Sequence, residues 1–273
     1  MSIVYLASTF EKGLNDTFKR MADNANDAPL DLLVAYPYLD KFLKVRSQFR
    51  INSWVLDSGA FSAFNSGKVI DLKQYTKDAR ALEGDLTDYF ALDVIGDFRK
   101  GLVNYEHMLS EGARPIPVYH PGEPWRVLDI LKATAHKIAI GSGRDLSDKG
   151  TSVRGSAREY VEQVFARAWP KRIHGLALSR AGMMDLFPFD SVDSTTWIIM
   201  PGYGRYLTYA QKTTYIPVQR GKLLDNQVRL MQRRSRKYAQ IWRKELAIAR
   251  AVPAPHTTLN SRQLVAVCKG KKP

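Results

Sequence analysis

The stretch VLDSGAFSAF, residues 55–64, contains the end of a strand, a tight turn and the start of a helical segment. Trp54–Leu56 is a short apolar run of the kind that forms a buried strand. The run leads directly into the carboxylate of Asp57, and the small residues 58–60 and the ring of Phe61 follow. An apolar run that ends in polar or small residues before an amphipathic stretch is the pattern of one β–α unit. Asp57 therefore either caps a turn or takes part in chemistry.

The same pattern recurs through the first 200 residues. Eight β–α units in succession predict a (β/α)8, TIM-type barrel of parallel strands rather than an open sheet. We expect this barrel over residues 1–205 and a basic, largely helical C-terminal segment packed on it over residues 206–273. The predicted strands are Ile3–Ala7, Leu32–Ala35, Ser53–Leu56, Tyr89–Leu92, Ile116–Tyr119, Lys137–Ile140, Ile173–Leu178 and Asp190–Val192.

The composition is that of a globular protein with a hydrophobic core. The chain has 273 residues, of which 45% are hydrophobic and 25% are charged. It contains no apolar run of about 18 residues and no signal-peptide pattern, so we expect no membrane span and a cytoplasmic location. The one cysteine, Cys268, excludes an internal disulfide framework and a zinc site built from cysteines.

Positive charge is concentrated at the C-terminal end of the chain. Residues 201–273 hold 16 of the 41 basic residues and 2 of the 27 acidic ones, so 25 of each remain in residues 1–200. The net charge of +14 therefore belongs entirely to the end segment. A neutral body with a basic end predicts a polyanionic partner. Aromatic residues interleaved with the basic ones favour nucleic acid over a merely solubilising tail.

The segment DNQVRLMQRRSRKYAQIWRKELAIARAV, residues 225–252, is predicted to be helical. Apolar residues at three- and four-residue spacing predict a face that docks on the barrel, namely Val228, Met231, Tyr238, Ile241, Trp242 and Leu246. The residues predicted to bind a phosphate backbone from the exposed surface are Arg205, Arg233, Arg234, Arg236, Lys237, Arg243 and Lys244. An amphipathic helix with a solvated basic face is the alternative.

Polar and small residues stand where the predicted strands end. They are Asp57, Asp93 and His120 after strands three to five, Gly141, Ser142 and Gly143 after strand six, and Asp190 and Asp193 beside the last strand. Because active sites of (β/α)8 barrels lie at the C-terminal ends of the strands, we interpret this group, apart from Asp190, as functional. Taken alone, Asp57 and Asp93 are also compatible with turn or helix caps, and His120 with an ordinary loop position. We interpret Asp185 and Asp190 as structural.

Paired carboxylates in a pocket either bind a metal or divide the work of nucleophile and acid/base. The five histidines have no spacing typical of metal ligands, so we expect no metal. Attack at the anomeric carbon of a sugar uses two carboxylates and no cofactor. One carboxylate forms a covalent glycosyl intermediate, and the other handles the proton of the leaving group.

Four short motifs, in the same order along the chain, resemble the tRNA-guanine transglycosylase family. LDSGAFS at 56–62 resembles its Asp-Ser-Gly-Gly/Ala-Phe/Tyr-Gln signature, and FALDV at 90–94 resembles its strand that ends in a base-recognising aspartate. IAIGSG at 138–143 resembles its Ala-Ile-Gly-Gly-Leu loop, and FPFDSVDSTTW at 187–197 resembles its Asp-x-Phe-Asp-Cys strand. The similarity covers most of residues 50–205.

The resemblance implies a role for each matched residue. Asp193 would attack the anomeric carbon and hold the polynucleotide covalently, and Asp57 would be the general acid/base for the departing and incoming bases. Asp93 would accept hydrogen bonds from N–H groups of the base, and Phe61 would stack on it. Further contacts to the base would come from Ser58, Gly59, Gly141, Ser142 and Gly143, with His120 or Tyr119 where the family carries a glutamine.

The chain also departs from the tRNA enzymes. It lacks the three cysteines of their zinc subdomain, it carries Ser62 in place of a glutamine, and a basic segment replaces the zinc module. A compact, zinc-free, basic-tailed chain resembles the DNA 7-deazaguanine transglycosylases of phages and bacterial modification islands. This resemblance implies an enzyme that exchanges guanine in DNA for a free 7-deazaguanine base such as 7-cyano-7-deazaguanine, in the host cytoplasm if the chain is phage-encoded.

Three other functions stay open at this point. A transglycosylase that acts on tRNA shares the chemistry, and a base or nucleoside hydrolase on the same barrel needs only water in place of the incoming base. A catalytically silent DNA-binding protein would leave Asp57 and Asp193 unexplained. A homodimer is compatible with such a barrel, but the sequence locates no interface.

Overall fold

The computed structural model describes most of the barrel and the C-terminal helices. The described ranges are 2–7, 18–19, 21, 23–24, 27–141, 157–202, 205–207, 213–215 and 220–255. No helix within these ranges is long and apolar enough to cross a membrane.

Eight strands form one sheet of parallel neighbours. They are β1 (Ile3–Leu6), β2 (Leu30–Ala35), β3 (Ile51–Asp57), β4 (Asp88–Tyr89), β5 (Val118–Tyr119), β6 (Lys137–Ile140), β7 (Arg172–Gly175) and β8 (Ser191–Ser194). Their order is β4-β3-β2-β1-β8-β7-β6-β5. β4 and β5 are the two ends of this order, and next to them Phe90 pairs in parallel with Ile116. The predicted (β/α)8 barrel is confirmed.

Four strands are shorter than the sequence predicts: β1 ends one residue early, β7 ends at Gly175 rather than Leu178, and β4 and β5 have two residues each. The fifth was expected over Ile116–Tyr119 but is regular only from Val118, because Pro117 has no N–H to donate to a neighbouring strand. The fourth ends early because the N–H of Asp93 turns back to the carbonyl of Ala91 at 2.9 Å. The chain leaves the sheet at these points, which places polar side chains just beyond it.

Helices follow most of the strands. They are α1 (Leu39–Val45), α2 (Ala60–Ser66), α3 (Leu72–Ala81), α4 (Phe98–Ser110), α5 (Trp125–Thr134), α6 (Ala157–Ala168), α7 (Ala181–Met184), α8 (Thr196–Gly202), α9 (Arg220–Ile241) and α10 (Arg243–Ala251). Asp71 caps α3 by accepting a hydrogen bond from the N–H of Gln74, and Asp97 caps α4 by accepting one from Lys100. A two-stranded antiparallel pair, β9 (Arg205–Leu207) and β10 (Thr213–Tyr215), precedes α9.

The chain divides into two compact units. The first unit comprises Met1–Val55 and Leu176–Leu246, and the second comprises Leu56–Gly175 and Ala247–Pro273. In the first unit β1 and β8 run side by side, with Tyr5 opposite Asp193. In the second unit the apolar faces of α3, α4, α5 and α6 are buried, as parallel barrel strands covered by helices require.

The predicted basic helical segment is also confirmed, as α9 and α10. Val228, Met231, Tyr238 and Leu246 are buried as expected. The prediction for Ile241 is wrong, since this side chain is exposed. α9 ends at Ile241, and the indole of the next residue, Trp242, docks instead by donating its Nε1–H to the carbonyl of Met184 at 2.7 Å. Ile241 is therefore the last residue of α9, and its side chain does not pack on the buried face.

Candidate active site

Four successive strands, β3 to β6, have their last residues in the second unit, and each ends at or just before a residue that the sequence marks as functional. Asp57 is the last residue of β3, and Asp93 follows the short β4 and the Phe90 pairing beside it. His120 comes directly after β5 and Gly141 directly after β6. Within this unit the structure brings Ser58, Asp93, His120 and Gly141 together.

Asp93 is held by two side chains. Its Oδ2 lies 2.8 Å from Nε2 of His120, and Oδ1 lies 3.4 Å from the hydroxyl of Ser58. A carboxyl group and an imidazole are complementary hydrogen-bond partners, because each can accept a proton that the other donates. Asp93 does not cap α4, because Asp97 does. The pairing instead fixes the direction of the carboxylate and of the imidazole ring.

Gly141 makes room for that ring. A methyl group built at this position would lie 3.0 Å from Nδ1 of His120 and 3.6 Å from Cδ of Pro121. Any larger residue would therefore push His120 away from Asp93. The structure gives Gly141 this packing role, and direct contact with a base stays a prediction. Ser142 and Gly143, predicted for the same loop, lie outside the described residues.

Asp57 caps the turn that follows it. Its Oδ2 accepts a hydrogen bond from the N–H of Gly59 at 3.0 Å, and the hydroxyl of Ser58 accepts one from Ala60 at 3.3 Å. Gly59 has a φ of 77°, a left-handed conformation that favours glycine. The turn directs the chain into α2, where the ring of Phe61 is 53% exposed. Asp57 thus caps the turn, as the alternative interpretation of the sequence allows, and the hydrogen bond fixes its carboxylate at the end of β3.

Glu123 belongs to the same cluster, although the sequence did not single it out. Its Oε2 is buried and has no hydrogen-bond partner among the described residues. Burial raises the pKa of this carboxyl to about 7, against the lowering effect of His120. A cavity of about 20 Å³, the size of one water molecule, is lined by Asp93, His120 and Glu123 among others. The available signal was an acid four residues beyond a strand end, in a βα loop of a predicted barrel.

Replacing Glu123 with glutamine is expected to raise the free energy of unfolding by about 3 kcal/mol at pH 8 and to leave it nearly unchanged at pH 4. The folded chain raises the pKa of the carboxyl from 4.5 to about 7. The folded state therefore binds this proton more tightly than the unfolded state does, and wild-type stability falls as the pH rises from about 4.5 through 7. Glutamine keeps the shape without titrating.

Denaturant unfolding at pH 4, 6 and 8 measures this difference. Glu162, an exposed residue of α6, provides the matched control as Glu162→Gln. A stability gain in Glu123→Gln that stays the same at all three pH values would contradict the interpretation of Glu123 as a buried acid.

The first unit holds the other predicted catalytic acid. Asp193 is buried in β8, and its Oδ1 accepts a hydrogen bond from the N–H of Ala177 at 2.8 Å. Ala177 has a φ of 54°, which is strained for a residue other than glycine. The strained backbone thus directs an N–H at the carboxylate of Asp193. Asp190 is buried just before β8, and its carbonyl accepts a hydrogen bond from the N–H of Ile3.

The basic residues of α9 and α10 divide into exposed and anchored ones. Arg233, Arg236, Arg243 and Lys244 are exposed, and we call these four the basic surface. Lys237 is partly buried and lies 3.1 Å from Oδ1 of Asp185, which also accepts a hydrogen bond from the hydroxyl of Tyr238. The side chain of Arg205, in β9, lies outside the described residues.

Arg234 is a correction to the predicted nucleic-acid-binding set. It is only 2% exposed, and its Nη1 donates to the carbonyl of Ser179 at 3.3 Å. It lies three residues from Met231 and four from Tyr238, on the face of α9 that packs inward. Its stem is covered by neighbouring atoms while the guanidinium bonds a carbonyl, so it holds α9 in place rather than presenting charge.

Across the described ranges, no group of three or more His, Cys, Asp or Glu side chains is arranged to hold a metal ion. The titratable cluster of the second unit consists of carboxyl groups and one imidazole. Together these groups can accept and donate protons and can accept hydrogen bonds from the N–H groups of a ligand.

Comparison with known proteins finds distant structural likenesses only. No family model matches the chain, and no curated protein matches it. Among solved structures, a mutant tryptophan synthase alpha-subunit from Pyrococcus furiosus is 11% identical, with a TM-score of 0.49, over 85% of this chain and 97% of that one. The carboxyl transferase domain of Rhizobium etli pyruvate carboxylase is 13% identical, with a TM-score of 0.41, over 94% of this chain and 50% of that one.

Proposed function

We propose that this protein is a DNA base-exchange enzyme that replaces guanine with a free 7-deazaguanine base through a covalent aspartyl-glycosyl intermediate. The observation that carries the proposal is that two aspartate carboxylates are held in fixed orientations. Asp57 at the end of β3 and Asp193 in β8 are each oriented by a backbone N–H at 2.8 to 3.0 Å. The proposal gives the two aspartates the separate roles of nucleophile and acid/base that exchange at an anomeric carbon requires.

The chemistry proceeds as a double displacement. A carboxylate oxygen of Asp193 bonds to C1′ of the deoxyribose as the bond from C1′ to N9 of guanine breaks, and Asp57 gives its proton to the departing base. The incoming 7-deazaguanine then loses its N9 proton to Asp57. Its N9 attacks C1′, and the carboxylate of Asp193 is released. Each aspartate returns to its initial protonation state, so the cycle requires no cofactor.

Asp93 and His120 are proposed to recognise the base. Guanine presents N–H donors on its Watson–Crick edge, and each oxygen of a carboxylate has lone pairs for more than one hydrogen bond. Asp93 therefore accepts from the base while it holds Ser58 and His120. Phe61, exposed at the start of α2, supplies the flat wall on which a purine stacks.

The proposed substrate is DNA, with its target guanine turned out of the stack. Base extrusion costs a few kcal/mol, which contacts to the phosphate backbone offset. The basic surface on α9 and α10 provides four exposed cationic side chains for such contacts.

Base exchange tests the proposal directly. Duplex DNA, single-stranded DNA and tRNA are each incubated with 7-cyano-7-deazaguanine, digested to nucleosides and examined by mass spectrometry. The proposal predicts a 7-deazaguanine deoxynucleoside in DNA and no modified nucleoside in tRNA. Product in tRNA alone would make the enzyme a tRNA-guanine transglycosylase, and free guanine without exchange would make it a hydrolase.

Removing two charges from the basic surface, as Arg233→Gln with Arg236→Gln, is expected to weaken DNA binding about tenfold at low salt. The slope of log affinity against log salt should fall in magnitude by about two, because two phosphate contacts no longer release counterions. Fluorescence anisotropy over a salt series measures both quantities. Lys73→Gln with Lys77→Gln removes two exposed charges from α3 and serves as the control. Equal loss in both variants would assign the effect to net charge rather than to this surface.

A further inference from the structure

Exposed apolar side chains gather on and between α2 and α4 in the second unit. Phe64 is 46% exposed and Val69, in the turn after α2, is 94% exposed. Val103 of α4 is also exposed. Contiguous apolar side chains on a surface often mark a binding site, whereas single ones need no explanation. The cluster therefore indicates a surface that another molecule covers.

These side chains line a groove of about 420 Å³, which we call the α2–α4 groove. Phe64, Val69 and Val103 form its apolar wall, and Lys68 and Lys100 belong to its lining as well. A groove of this volume is large enough for one nucleotide or two.

The groove opens from the candidate active site. Asp93, which holds the imidazole of His120, is also part of the groove lining. A polymer whose target residue lies against Asp93 and His120 would therefore continue along this groove. The groove occupant is thus expected to be part of the same molecule as the substrate.

The charges of the groove fit an anionic strand. Asp93 is the one carboxylate among the residues that line it, against the two lysines. Lys100 lies 3.2 Å from the carboxylate of Asp97, but both side chains are solvent-exposed, and such pairs contribute little and exchange readily. Aromatic and aliphatic walls with ammonium groups beside them are the combination by which proteins hold unpaired nucleotides without reading their sequence.

We propose that the α2–α4 groove binds the unpaired nucleotides next to the target guanine in a single DNA strand, with a base stacked on Phe64 and a phosphate at Lys68. The identity of the strand as DNA rests on the proposed base exchange. The groove would then hold the strand open beside the extruded base, which makes single-stranded or locally opened DNA the form that enters the site.

Binding of fluorescein-labelled 12-mers tests this inference without requiring catalysis. One oligonucleotide carries a single guanine among thymines, and the other contains only thymine. Phe64→Ala is expected to raise the Kd for both about tenfold, since stacking of one base contributes ~1–3 kcal/mol. Phe64→Trp should retain the wild-type Kd, and Lys68→Gln should raise the Kd about threefold and reduce the salt slope by about 0.7.

Leu186→Ala removes a similarly exposed apolar side chain from the first unit and is the matched control. Val69→Ser changes an almost wholly exposed side chain, so it tests the groove without a risk to folding. An unchanged Kd in Phe64→Ala and Val69→Ser would overturn the inference. A change from dimer to monomer in either variant, seen by sedimentation with an unchanged Kd, would also overturn the inference and would make the groove an interface between two copies. A Phe64-dependent preference for an RNA 12-mer would overturn it as well.

The outcomes separate this inference from the proposed function. A Phe64-dependent Kd in a protein that exchanges no base would support the groove and overturn the base exchange. Base exchange with a Phe64-independent Kd would overturn the groove alone.

Discussion

Asp193→Asn is expected to abolish base exchange, with a loss on the order of 10⁴-fold or more in the rate of product formation. An amide oxygen is too weak a nucleophile to form the bond to C1′. The substitution preserves the local structure, because the asparagine oxygen still accepts the hydrogen bond that Ala177 donates at 2.8 Å. The nucleoside assay measures the loss, and anisotropy measures DNA binding in the same preparation.

Binding should remain within about threefold of wild type in Asp193→Asn, since the charge lost is not one that contacts phosphate. Asp185→Asn is the matched control, because Asp185 is exposed and its carboxylate accepts hydrogen bonds from Lys237 and Tyr238 of α9. Base exchange at the wild-type rate in Asp193→Asn would show that Asp193 is not the nucleophile. Asp190, buried three residues earlier, would then be the next candidate.

Asp57→Asn is expected to slow exchange of guanine about 10²- to 10⁴-fold, the usual contribution of a general acid/base. Asparagine keeps the oxygen that accepts the hydrogen bond from Gly59, so the turn into α2 stays intact. The defect should depend on the leaving group. A 7-methylguanine in the DNA departs as a neutral base and needs no proton, so its release should be slowed far less than that of guanine.

The informative measurement is the ratio of the rates at which Asp57→Asn releases guanine and 7-methylguanine. Asp57→Ala, which also loses the cap on Gly59, separates the structural part of the effect from the chemical part. Equal slowing of guanine and 7-methylguanine release in Asp57→Asn would show that Asp57 acts as a turn cap and not as the proton donor.

The sequence predicts the barrel because each β–α unit carries its own local signal. β6 was predicted with its observed bounds, Lys137–Ile140, because a continuous apolar run ends at a glycine. The shorter β4 and β5 depend on Pro117 and on a backbone turn at Asp93, which local hydrophobicity does not report. Element type follows from periodicity, whereas element length depends on which strand stands beside which.

The errors on α9 have a different origin. Arg234 was predicted to be exposed because it is charged, but helical spacing places it on the inward face between Met231 and Tyr238. A carbonyl on another segment, that of Ser179, makes its burial favourable. Ile241 was predicted to be buried from its three-residue spacing after Tyr238, but α9 ends there. The charge of Arg234 misled the first prediction, and the end of the helix, which spacing does not report, misled the second.

The candidate site was predictable in part. Asp57, Asp93 and His120 were found because they stand at strand ends, and the approach of Asp93 to His120 follows from the shared edge of parallel strands. Glu123 was missed because its burial arises from the packing of a βα loop. The hydrogen bond from His120 to Asp93 and the space that Gly141 provides for it are likewise tertiary features.

Detection of a covalent protein–DNA complex is the most direct test of the central claim. The wild-type protein is incubated with guanine-containing DNA in the absence of an incoming base, denatured, digested and mapped by mass spectrometry. The account predicts a sugar–peptide ester at Asp193 that is absent in Asp193→Asn and disappears when 7-cyano-7-deazaguanine is added before denaturation. Modified DNA formed without any covalent complex, or a complex at another residue, would contradict it.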